Sequence, residues 1–161
     1  MKLLLAVFFM TGLTSYGQSS KEDIDLIQSM YGKEKKELVG VYMSMPQSQS
    51  ISFWAVYDQY EAERKAYGKA RIALIDDYAN VYDALTDEKA VELVNKKNAL
   101  YNDFGKIQKK YFGKMTKIIG GKQAAKFIQL EDYLENSLRL SVQEEIPFIK
   151  EIEKSKVVKQ Q

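Results

Sequence analysis

The chain has 161 residues, 45% of them hydrophobic, with 24 basic and 22 acidic side chains and a formal net charge of +2, the size and composition of one ordinary domain. It contains no cysteine and no histidine, which excludes disulfides, thiolate metal sites and cysteine nucleophiles and removes the commonest general base and zinc ligand. Two prolines and nine glycines leave little material for the turns of an all-β fold, and a charge of +2 is too small to argue for nucleic acid.

The chain opens on an export pattern. Lys2, the uncharged apolar run from Leu3 to Met10 and the small-residue end Ser15-Tyr16-Gly17 read as a secretory signal peptide. The apolar run is too short for a transmembrane anchor, which needs about 20 residues. Cleavage of residues 1–17 is expected between Gly17 and Gln18, giving a periplasmic protein without stable membrane insertion. Residues 18–149 are expected to form one domain, followed by a charged, disordered tail over 150–161.

Helical periodicity then runs almost without interruption, and no strand pattern is present. The first predicted helix spans Lys21 to Met43, with Ile24, Ile27, Met30, Leu38 and Tyr42 as its apolar positions. Its middle, Lys33 to Glu37, reads as a solvated face. Proline disfavours a helical residue before it, so the helix should break at Met45-Pro46. Ser44 is a candidate cap, and Pro46 suits the first turn of the next helix.

The second predicted helix, Gln47 to Leu85, carries Phe53, Tyr57, Tyr60, Arg64, Tyr67, Arg71, Leu74, Tyr78, Val81 and Leu85 at alternating steps of four and three. That is a coiled-coil-like seam. The third begins after Leu85 with Thr86 as N-cap and Asp87 and Glu88 in the first turn. It repeats the pattern at Ala90, Val94, Lys97, Tyr101, Phe104, Gln108, Tyr111, Met115 and Ile118. Gly120-Gly121 should end it. The fourth, about Lys122 to Phe148, aligns Phe127, Leu130, Leu134, Leu138, Val142 and Ile146, with Pro147 closing it. The expected fold is all-α: a long antiparallel hairpin with a shorter helix at each end. An elongated shape of this kind makes a homodimer an attractive way to cover remaining apolar faces.

Two features carry functional readings. The aromatic and arginine stripe on the second helix reads either as hairpin core or as an amphipathic face for other polypeptides. Arg64 and Arg71 would be costly in a dry core and favour a partly wet stripe. From Phe104 to Leu130 there are seven lysines and no acid, either a solvated surface balanced by acids such as Glu131 and Glu135 or a contact for anionic partners. Asp76-Asp77 and Glu144-Glu145 are adjacent residues that diverge on a helix, so neither makes a catalytic dyad. No phosphate loop or serine elbow is present, and no enzyme, cofactor or metal is expected.

The segments Phe53-Trp54-x-x-Tyr57-Asp58-x-Tyr60, Leu74-Ile75-x-Asp77-Tyr78, Leu85-Thr86-Asp87-Glu88-Lys89-Ala90, Lys126 to Glu131 and Glu145 to Phe148 resemble the Spy/CpxP-like, LTxxQ-motif periplasmic proteins. Two LTxxQ-like stretches, Met45-Pro46-Gln47-Ser48-Gln49 and Leu85-Thr86-Asp87-Glu88-Lys89, depart from the motif but keep its physical form as a helix start. The resemblance implies a helical, often dimeric cradle that holds unfolded envelope proteins without ATP or damps envelope-stress signalling. Its alternative is a specific regulatory partner of a membrane sensor or anti-sigma factor. The expected client-binding residues are Phe53, Tyr57, Tyr60, Arg64, Tyr67 and Arg71, with Lys109, Lys110, Lys114 and Lys117 steering acidic clients.

Overall fold

The computed structural model describes residues 21–143 and 146–151, with side-chain surroundings from residue 32 onward. The expected signal segment 1–17 and residues 152–161 of the expected tail lie outside the described residues. Every regular element among the described residues is helical: α1 (Lys21–Met43), α2 (Gln47–Val81), a 3-10 turn (Tyr82–Ala84) and α3 (Asp87–Gln143). The chain is all-α, and none of these helices is long and apolar enough to cross a membrane.

Local chemistry accounts for the boundaries. α1 stops where Ser44 turns to φ 43° and donates its hydroxyl to the Val41 carbonyl at 2.9 Å. Ser44 therefore closes α1 and does not cap α2. Pro46 takes the N-cap position, with φ −57° and ψ 144° and no side-chain cap, and its carbonyl accepts from Gln49 and Ser50. α3 starts as expected, with the Thr86 hydroxyl accepting from the Lys89 amide at 3.2 Å. α3 is bent at Gly120, whose φ of 77° and ψ of 158° lie outside helical space; only glycine enters that region without strain. The bend separates a first arm (87–119) from a second arm (121–143). Pro147 does not close a helix: it opens a helical turn over 147–151, the position where its missing N–H costs nothing.

Side-chain contacts give the packing directions. Tyr111 reaches Glu63, Phe104 stacks on Tyr67 at 4.6 Å and Lys89 reaches Asp77, so α2 and the first arm of α3 run antiparallel. Phe127 packs on Phe53, while Glu135 pairs with Arg71, so the second arm runs alongside α2 in the same direction. Lys35 and Lys36 of α1 meet Glu61 and Asp58, and Gly40 lies against the Trp54 ring, so α1 is antiparallel to α2. The result is an up-down-up-down arrangement with short connections.

The core is aromatic. Phe53, Tyr57 and Tyr60 on α2 meet Tyr111, Met115 and Ile119 on the first arm, Ala124 and Phe127 on the second, and Val39 and Met43 on α1. Edge-to-face rings such as Tyr60 on Tyr111 at 5.5 Å and Tyr60 on Phe127 at 5.6 Å hold it in the geometry aromatic quadrupoles favour.

The predicted stripe of α1 is shifted by one residue, and so is the start of the stripe on the first arm of α3, whose Phe104, Tyr111 and Met115 are buried as expected. On α1 the buried positions are Lys35, Val39 and Met43, while Tyr42 is exposed. On the first arm of α3, Leu93 is buried and Val94 is exposed. A helix buries the positions that face its neighbours, so on α1 Lys35 is enclosed while the more apolar Tyr42 is not.

Candidate functional site

The six α2 residues expected to bind clients are all buried: Phe53, Tyr57, Tyr60, Arg64, Tyr67 and Arg71. This corrects the reading of that stripe as a recognition face. α1 and the second arm of α3 cover it, so the stripe is the core seam and offers no surface. The two arginines that argued for a wet stripe are accommodated instead by buried carboxylates.

Those carboxylates belong to a charge network across three helices. The Lys35 ammonium donates to Glu61 Oε1 and to Glu131 Oε2, each at 2.5 Å. The Tyr60 hydroxyl donates to the same Glu131 oxygen at 2.7 Å, and Arg64 Nε donates to Glu61 Oε1 at 2.9 Å. Lys35 is 3% exposed and Glu131 1%. Two cations and two carboxylates make the cluster formally neutral, the condition under which buried charge is tolerated. A second pair, Arg71 with Glu135, lies two α2 turns further on.

The two acids of the network are pushed in opposite directions. Burial raises Glu61, but Lys35 and Arg64 together outweigh it and hold the carboxyl below its ordinary value. Burial raises Glu131 more than Lys35 and Tyr60 can offset, in keeping with its second oxygen, Oε1, having no hydrogen-bond partner. Tyr60 is held far above the ordinary phenol range by burial and by the adjacent Glu131. No group of three or more metal-ligating side chains converges among the described residues. The network ties α1, α2 and the second arm together, and its members are enclosed.

Lys35, Glu61, Glu131 and Glu135 were not among the expected site residues. From the sequence alone, Lys35 sits in a solvated run and the two glutamates of the second arm balance the lysines. The signal was present, because Glu131 and Glu135 continue the four-residue step from buried Phe127 and so share its face.

The four lysines divide. Lys110 donates to Glu63 Oε1 at 2.6 Å and Lys114 to Gln59 Oε1 at 2.9 Å, so both fasten the first arm to α2. Its bond to the Glu63 carboxylate raises Lys110 above its ordinary value. Lys109 and Lys117 are exposed and remain available to a partner. The ten expected residues therefore do not form one surface: six lie in the core, two join helices and two face solvent.

What surrounds the Gly120 bend is a different surface. Lys117 and Lys122 are exposed on either side of it. Lys126 donates to the Tyr42 carbonyl at 2.6 Å, which brings the end of α1 to the same place. There Val41 is 72% exposed and Tyr42 54%, and Ile51, on the first turns of α2, is 83% exposed. No known protein family, curated protein or solved structure matches the chain.

Proposed function

We propose that the protein is a non-enzymatic, periplasmic binding protein of Spy/CpxP-like type that holds unfolded envelope proteins. The observation that supports this reading is the end of the bundle at Gly120, where uncovered Val41, Tyr42 and Ile51 lie with Lys117, Lys122 and Lys126. Exposed apolar side chains supply weak, sequence-tolerant adhesion. The surrounding lysines raise the encounter rate with acidic chains in a salt-dependent way. A cradle, in this reading, is formed by the outer faces of the helices at that end and not by the buried seam of α2.

The test is aggregation suppression by the purified chain on two unrelated, chemically unfolded clients at low and moderate salt. Protection of both without nucleotide is expected. Charge reversal at Lys109, Lys117 and Lys122 is expected to weaken protection and flatten its salt dependence while leaving the helical spectrum intact. Lys110 and Lys114 are left unchanged because their reversal would break bonds to α2. Protection of neither client would reject the holding function and favour one specific partner, such as a membrane sensor or anti-sigma factor.

A further inference from the structure

Between α2 and the two arms of α3, one turn beyond the Arg71–Glu135 pair, lies a cavity of about 100 Å³. Leu74, Leu100 and Val142 contribute apolar walls, and Arg71, Lys97 and Arg139 contribute three cations. None of the described residues lining it is acidic. Arg71 is 8% exposed, and although one of its terminal nitrogens pairs with Glu135, its Nε is buried without a partner. The Nε of Arg139 is buried without a partner as well. Arg139 and Lys97 both lie near the Tyr101 ring, at 4.7 and 5.9 Å from its centroid, and neither meets a carboxylate among the described residues. By contrast, the most deeply buried cations among the described residues, Lys35, Arg64 and the cavity's own Arg71, each pair with a glutamate.

We propose that this cavity binds a short-chain carboxylate, its anionic head accepting hydrogen bonds from Arg139 and Lys97 and its hydrocarbon chain lying on Leu74, Leu100 and Val142. Charge complementarity selects the head: among the described residues the three cations share one glutamate, and the guanidinium fork of Arg139 matches a carboxylate. The walls select the body. An apolar cavity of roughly 150 Å³ accommodates the six carbons of a benzene ring, so two thirds of that volume suits a chain of about four carbons beyond the carboxylate. A bare anion such as phosphate would leave those walls uncovered, and a neutral analogue would leave the arginine donors unmet.

The experiment is a calorimetric and NMR titration of the full chain with valerate, valeramide and inorganic phosphate. Saturable valerate binding is expected in the millimolar range or tighter, at least tenfold tighter than either control, with the largest shifts on Tyr101 and Leu100. Arg139→Gln and Lys97→Gln are each expected to weaken it severalfold; Lys97 is exposed, so its replacement leaves the fold in place. Leu100→Phe, which fills the cavity and keeps both cations, is expected to abolish it. Absence of saturation, valeramide or phosphate binding as tight as valerate, or an unchanged affinity in Lys97→Gln and Leu100→Phe would overturn the assignment.

Discussion

Lys35 is an ammonium held between two glutamates, and its removal shows how the network is balanced. Lys35→Met leaves Glu131 and Glu61 buried with only Arg64 and Tyr60 to answer them. Breaking a buried ionic cluster by removing one partner costs about 3–5 kcal/mol, and urea denaturation is expected to show a loss of that size. Lys35→Met combined with Glu131→Leu restores the charge balance around Glu61 and Arg64, and is expected to recover more than half of it. The same residues set the pH dependence. Glu61 is held below the ordinary glutamate value of about 4.3, so its stabilisation is present above that value and is lost as pH falls through its own lowered pKa. Glu131 is raised, so its effect has the opposite sign: the stability present below the ordinary value declines as pH rises through its raised pKa. Relative to wild type, Glu131→Gln should therefore gain ground as pH rises above the ordinary glutamate value. Glu61→Gln should lose ground as pH rises towards 5 from the acid side. Stability curves for the two variants that moved in the same direction would contradict the assignment of opposite shifts.

The helices themselves were legible because punctuation in this sequence is sparse and physical. Pro46 and Thr86 mark helix starts and Gly120 marks the reversal, Pro46 and Gly120 through backbone constraints and Thr86 through a side-chain cap on Lys89, all of them local. The two adjacent glycines differ in role. A Cβ at either would meet nothing within 4 Å, so substitution reports backbone conformation alone. Gly120→Ala places an L-residue at φ 77° and is expected to cost about 1–3 kcal/mol. Gly121→Ala lies in the helix of the second arm and is expected to be neutral or stabilising by up to about 1 kcal/mol. Thermal denaturation of the pair separates them. Which face each helix buries was legible on α2 and the second arm, where the four-and-three spacing is carried by large residues. It was not legible on α1, where a buried Lys35 and an exposed Tyr42 reverse the order that hydrophobicity alone suggests, nor at the start of α3, where Leu93 takes the buried place expected of Val94.

At the scale of the molecule, periodicity locates seams but does not say how many helices meet at each. With two helices, the aromatic stripe of α2 would retain an open flank; with four, it becomes the centre. Arg64 finds Glu61 one turn away on α2, but Arg71 and the buried Lys35 of α1 need anions from elsewhere in the chain. Those anions lie 64 residues away for Arg71 and 96 for Lys35, beyond the reach of any local pattern, which is why the candidate site moved from the stripe to the Gly120 end. One consequence follows from where α1 docks. The single tryptophan of the chain, Trp54, is half-buried at the α1–α2 contact, with Gly40 against its ring and the Lys36 ammonium 5.3 Å from its centroid. Departure of α1 would wet the indole while leaving the rings of α2 and α3 stacked. The molecule thus contains its own optical gauge of that one helix: a red shift of Trp54 emission is expected at lower urea than the loss of helical ellipticity. Coincident transitions would mean that α1 lets go only when everything else does.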